Sequence, residues 1–330
     1  MPAMSLRKIL LGVAAGAMGL AAPWLSRKEA VGATPHPPSW VRATPIARPV
    51  DHPLGVAVDG SDVYFVTGGF EQAENAVRHV KIEGGPVETL AKVGQIVSGE
   101  LCIDREYVYF SSEFDNAVLR VPRIGGAPSV IARAPAPQHL AIDATHVYFS
   151  TFAKQEPGGT LQRVPKAGGA TEVLLSGHPG IGGLVVDEHD LYFRSNKGLW
   201  KLPKSGGAAQ SLWLRPDRSD VDRLTADATH LYFFYRRDGG RYSVARLDKH
   251  GGTPEIIGPI ASPSGHLALS DSHVYFFREA SMTEDALAKV PKSGGPAETV
   301  DGSGYSTGYL AVAGGDVYFT DLTTVYRVAK

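Results

Sequence analysis

Glu100, His139, Arg223, His266 and Tyr309 are far apart in the chain, yet each stands directly before a short apolar run. With Gly55 and Gly183 they form a series spaced by 45, 39, 44, 40, 43 and 43 residues. The residues that follow them are Val56, Leu101, Leu140, Leu184, Leu224, Leu267 and Leu310. If a fold gathers this series, Glu100 and His139 make an acid–base pair, in which a carboxylate orients an imidazole and raises its pKa. Arg223 and His266 then offer donors suited to a carboxylate, phosphate or enolate oxygen. Glu100, His139 and His266 are also the residue types that hold a divalent metal, although two of them are three repeats apart. No cofactor is predicted and a divalent metal stays possible. Polar side chains in such a place can equally do no more than hold ordered water.

The same interval runs through the whole sequence. A hydrophobic-Tyr-Phe triplet starts at Val63, Val108, Val147, Leu191, Leu231, Val274 and Val317. Each unit reads as a short apolar run ("LAID", "LVVD"), a tight turn, the aromatic strand, a variable polar loop, a third run ("LQRVPK") and a glycine pair leading into a fourth. Gly-Gly supplies the positive φ of a tight hairpin. Proline just before it sits at a strand end, where its missing N–H costs little. Four short antiparallel strands at a period near 40 to 45 residues predict one propeller blade per unit. The seventh unit ends after its third strand, so "WVRATPIARPV" at 40–50 is expected to supply the fourth and close the ring. The predicted fold is all-β, a seven-bladed β-propeller over 40–330. In that fold the first strand of each blade lines the central channel, so the series above converges at the channel mouth.

The repeat resembles the YWTD, NHL and virginiamycin B lyase type of propeller. Tyr318-Phe319-Thr320-Asp321 is close to the YWTD signature, and the run from Pro53 to Asp59, "PLGVAVD", resembles the NHL strand opening. YWTD domains usually have six blades, so the count of seven departs from that family. The resemblance implies a fold that hosts receptors, scaffolds, lactonases and a lyase. The lyase type relies on His and Glu at the channel mouth; Arg223 and the two glycines do not match such a set, so no catalytic role is carried over.

Composition narrows the field. The formal net charge is −1, with no basic run, so nothing argues for a nucleic-acid partner and none is expected. "MSLRKILLGVAAGAMGLAAPWL" has a basic start and an apolar stretch from Ile9 to Leu25, followed by small residues at Val31-Gly32-Ala33. That is the pattern of a signal peptide over 1–33, or of an uncleaved N-terminal membrane anchor, with a Pro-rich spacer at 34–39. The expected location is therefore periplasmic or extracellular, with membrane contact only through such an anchor. The single Cys102 lies inside an apolar strand, where a thiol behaves as a small hydrophobe.

Several other signals are set aside. His146, His230 and His273 share the turn before the aromatic triplet and are expected to cap it, on the face opposite the mouth. "GHPGIGG" at 177–183 precedes a strand rather than a helix, the wrong context for phosphate binding. "DRSDVD" at 217–222 is a weak calcium-loop match. Charged loop residues (Glu113, Arg236, Arg237, Arg278, Glu279 and Asp321) are expected on the mouth face, where they could reach a ligand or a protein partner, although solvated loop is the expected role of any single one. The expected function is a ligand-binding or protein-binding module, a monomer, whose partner is a small molecule or an extracytoplasmic protein. The alternatives are a small-molecule enzyme of lyase or lactonase type at the same mouth and a purely structural scaffold.

Overall fold

A computed structural model describes residues 42–68, 74–94, 100–152, 158–216, 219–237, 239–260, 262–281, 284–305 and 308–329. The expected leader and spacer at 1–39 lie outside them, as do 217 and 218 of the calcium-like stretch. The described residues form seven four-stranded antiparallel sheets. Six are consecutive in sequence: blade 1 within 53–92, blade 2 within 101–133, blade 3 within 137–178, blade 4 within 182–214, blade 5 within 220–259 and blade 6 within 263–305. Blade 7 takes Leu310–Ala313, Asp316–Thr320 and Val325–Val328 from the C-terminal end, and Thr44–Ala47 pairs with Val325–Val328 as its fourth strand. The ring is thus closed by the N-terminal strand, which covers an edge that would otherwise stay unpaired.

The aromatic triplet forms the second strand of every blade. Phe65, Phe110, Phe149, Phe193, Phe233, Phe276 and Phe319 are all buried. Seven apolar clusters hold the molecule together, and each draws on two adjacent blades. Tyr109, Val118 and Ile131 of blade 2, for example, pack with Leu140, Val147 and Phe149 of blade 3. The last cluster joins Ile46 and Val325 of blade 7 to Val63 and Phe65 of blade 1. A single blade is too thin to bury both of its faces, so the unit must repeat until the ring shuts. Each first strand also touches the first strands of both neighbours, which makes the inner wall continuous.

The glycine pairs behave as their sequence predicts. In blade 3, Gly168 and Gly169 have φ of 86° and 131°, and the Gly168 N–H is donated to the Pro165 carbonyl at 2.8 Å. L-residues avoid this region because Cβ crowds the following carbonyl.

The turns between first and second strands show a device the sequence reading assigned to the wrong residue. In blades 2 to 5 the cap is the aspartate just after the first strand, and in blade 6 it is Ser270, not the histidine that follows. Asp143 Oδ1 accepts the Thr145 and His146 N–H groups, both at 2.8 Å. Its Oδ2 accepts the Tyr148 hydroxyl at 2.9 Å and Lys204 Nζ of the next blade at 2.8 Å. His146 and His230 instead place Nδ1 against the Thr hydroxyl just before them, and His273 against Ser272. Carboxylates win the role because two acceptor oxygens serve two backbone donors and two side chains at once. The unit recurs with Asp104–Lys166, Asp187–Lys249 and Asp227–Lys292, each pair bridging neighbouring blades.

Candidate small-molecule site at the channel mouth

The mouth residues occupy a local irregularity of the first strands. In blades 1, 3, 4, 5 and 6 the strand begins earlier than the apolar run, and its register to the second strand shifts at the mouth position. Gly182 faces Arg194 and Leu184 faces Phe193, for instance, so Gly183 is the extra residue. A β-bulge of this kind bends the strand and re-aims a side chain. In blades 2 and 7 the strand starts at Leu101 and Leu310, and Glu100 and Tyr309 precede it. Backbone anchors fix the level of the ring. The His139 N–H is donated to Ser150 Oγ at 3.3 Å, and the Tyr309 N–H to Thr320 Oγ1 at 3.0 Å.

All five predicted side chains, Glu100, His139, Arg223, His266 and Tyr309, line one cavity of about 190 Å³. Gly183 lines it too, whereas Gly55 does not and blade 1 contributes Val56. The apolar residues one step further along each strand complete the lining: Val56 and six leucines, one from every blade. The cavity is therefore a cup with a polar wall and an apolar floor.

On one side, Glu100 Oε1 and His139 Nδ1 are 2.6 Å apart, and Glu100 Oε2 accepts the Leu140 N–H at 3.1 Å. Burial opposes the charge on Glu100, but these bonds and the nearby imidazoles outweigh it and hold the carboxyl below its usual range. The pair fixes the imidazole with Nδ1 on the carboxylate, which turns Nε2 away from it. On the other side, the His266 and Tyr309 rings stack with centroids 4.3 Å apart. Burial, aided by the Arg223 charge, pushes the His266 pKa down to about 4. His266 is thus neutral at physiological pH.

Between these two groups stand Arg223 of blade 5 and Arg194 of blade 4. Arg223 has φ of 53°, the left-handed region that blades 1 and 4 reach with Gly55 and Gly183. An arginine there costs about 1–2 kcal/mol of backbone strain. Its Nε–H is donated to the Gly265 carbonyl at 3.0 Å. Arg194 was not singled out from sequence. It occupies the second-strand place where other blades carry Ser111, Ser150 or Thr320, and it fits because Gly182 faces it without a Cβ. A Cβ on Gly182 would meet the Arg194 guanidinium carbon at 2.8 Å, and one on Gly183 would meet Leu224 Cβ at 2.8 Å. The signal was an arginine out of register with serine and threonine, in the same blade as "IGG". Asp222 lies near both cations, 3.5 Å from Arg194 Nη2 and 4.0 Å from Arg223 Nε.

The metal alternative is not supported by this arrangement. Both oxygens of Glu100 are engaged by His139 and Leu140, and no cluster of three His, Cys, Asp or Glu residues suited to a metal exists among the described residues. Cys102 is packed against blade 3, and burial pushes its thiol up to about 12. A thiol held protonated in this way is a poor nucleophile. Loop charges are used locally. Glu113 accepts from Gln138, Arg236 from blade 5 faces Asp220 and Tyr242, Arg278 donates to the Thr299 hydroxyl oxygen, and Asp321 caps its own turn.

No protein-family model and no curated protein matches the sequence. Solved structures do match in fold. An oligogalacturonate lyase from Vibrio parahaemolyticus superposes with a TM-score of 0.66 at 13% identity, covering 88% of this chain and 94% of that one. An oligogalacturonate lyase in complex with manganese gives 0.65 at 14% identity, covering 87% and 92%. The nidogen/laminin complex gives 0.50 at 15% identity, covering 65% and 85%. At these identities the likeness concerns fold: the chain is a seven-bladed β-propeller, and similar folds belong to a lyase and to a protein complex.

Proposed function

We propose that this chain is an exported propeller that captures a small molecule in the cup at its channel mouth. The observation that carries this reading is the convergence of six different polar side chains, Glu100, His139, Arg194, Arg223, His266 and Tyr309, on one cavity. A ring built only to close a channel has no reason to vary from blade to blade. The placing of Arg223 in a strained backbone conformation supports it further, because such strain collects where a side chain must be delivered to a site. Export rests on the leader pattern of the N-terminal residues, which suits a fold held by its core without disulfides. No helix among the described residues is long and apolar enough to cross a membrane.

A second reading, an enzyme acting on the captured molecule, is favoured by the 2.6 Å Glu100–His139 pair. That pair presents an oriented imidazole to the cup, the arrangement a general base requires. A protein partner docking over the mouth would use the same face.

The test is a thermal-shift screen of small metabolites against the chain and its His139→Ala and Arg223→Ala variants. Stabilising compounds should emerge for the parent and be lost in both variants. Compounds that stabilise all three equally would place the ligand elsewhere and remove the mouth reading.

A further inference from the structure

The chemistry of the cup restricts what it takes. Arg194 and Arg223 come from neighbouring blades and line the same cavity. Arg223 is oriented by its single Nε–H bond to Gly265, and its terminal NH2 groups have no protein hydrogen-bond partner among the described residues. Arg194 Nε is buried without a partner among those residues. Asp222 offsets one of the two positive charges, only loosely, at 3.5 and 4.0 Å. About one net positive charge is left for a ligand on this side, and Glu100 opposite repels any larger negative charge. A guanidinium fork matches a planar carboxylate in shape and charge. A phosphate dianion would exceed the charge available.

The remainder of the cup is apolar. Leu184, Leu224 and Leu267 adjoin the arginines on the floor, and the stacked His266–Tyr309 pair offers a flat wall. A neutral His266 adds no cation for a second anionic group, in keeping with its depressed pKa. We propose that the cup binds a small monocarboxylate with an apolar body, its carboxylate held by Arg223 and Arg194 and its body on the leucine floor and the Tyr309 wall. This rests on the mouth being the ligand site, and it names the class of ligand.

Isothermal titration calorimetry of the purified chain tests it with four probes: phenylacetate, isovalerate, phenylacetamide and phenethylamine. Phenylacetate or isovalerate should bind, and the isosteric amide and the amine should bind at least about tenfold more weakly, the loss of one charge-assisted hydrogen bond. Arg223→Ala and Arg194→Gln should each weaken the carboxylate by roughly ten- to a hundredfold. Arg223→Gly, which removes the strain, guards against a folding artefact and should lose binding equally. Tighter binding of the amide or amine, abolished by His139→Ala, would overturn the carboxylate class and leave the mouth site standing. Carboxylate binding untouched by all three arginine variants would overturn the clamp. Silence of all four probes would overturn the ligand class, and the metabolite screen would then decide whether the site itself survives.

Discussion

The two ends of the channel are built from the same blades and by opposite rules. At the turn end, blades 2 to 5 repeat one device: an aspartate that caps its own turn, receives a tyrosine hydroxyl and pairs with a lysine of the next blade. At the mouth end, equivalent positions carry Gly, Glu, His, Gly, Arg, His and Tyr, and no two neighbouring blades agree. Repetition is what a ring needs for stability, since every junction poses the same packing problem. Departure from repetition, at a place where side chains converge, is what an asymmetric ligand needs.

The largest effect should come from breaking the repeating end. Burial alone would raise the Asp143 carboxyl, but Lys204, two backbone N–H groups and Tyr148 hold it well below the usual carboxylate range. Asp143→Ala leaves Lys204 and two turn donors without their acceptor and should cost about 2–4 kcal/mol in urea unfolding. The same network sets the acid limit of the fold. Asp104 is held down at about 2, against about 3.9 in an unfolded chain. Its contribution is complete above pH 4 and should be lost as pH falls from about 4 towards 2. Melting temperatures measured across that range should show the decline, with a shallower one in an Asp104→Asn variant.

The mouth should respond differently. Arg223→Ala keeps the left-handed strain and Arg223→Gly relieves it, so the glycine variant should be the more stable by about 1 kcal/mol. Calorimetric melting of the two variants checks this. A conventional structural arginine would show no such order. His266 gives a smaller, pH-dependent signature. Its folded pKa of about 4 lies below the ordinary value near 6.5. The unfolded chain therefore binds a proton first, and stability should fall as pH drops from about 6.5 towards 4. His266→Gln should flatten the melting profile in that window alone.

Much of the architecture was legible in the sequence because its signals are periodic and local. The Tyr-Phe doublet marks every second strand, and Gly-Gly marks hairpins from blade to blade. The unfinished last unit announced the closing N-terminal strand. The mouth constellation was legible for the same reason, since register alone aligned Glu100 with Tyr309. What stayed hidden was conformational. A bulge is a mismatch between two strands and leaves no mark on one of them, so Arg223 gave no sign of its positive φ. Arg194 was missed because it enters the cup from a second strand, through space left by Gly182. The turn histidines drew attention as titratable groups, whereas the residue three positions earlier, Asp143, Asp227 or Ser270, does the capping.

The smallest effect sharpens the comparison at the junction of blades 7 and 1. There the repeating pair is absent: Ala313 stands where blades 1 to 5 have aspartate, Ile82 where blades 2 to 6 have lysine or arginine, and both pack in the apolar cluster of that junction. Ala313→Asp and Ile82→Lys should each lose stability alone, and the double variant should recover roughly 1 kcal/mol of the sum, read as a coupling energy in a double-mutant cycle.

The central claim is that the uniform end holds the ring and the varied end serves a ligand. It is tested most directly by a triple mouth variant (Glu100→Gln, Arg223→Gly, His266→Gln) beside Asp143→Ala. Each would be exposed to a metabolite extract, examined for bound small molecules by native mass spectrometry, and melted. The account predicts a mouth variant that melts near the parent and captures nothing, and an Asp143 variant that melts lower yet captures the same mass as the parent. A mouth variant that captures normally, or that collapses as far as the Asp143 variant, would contradict it.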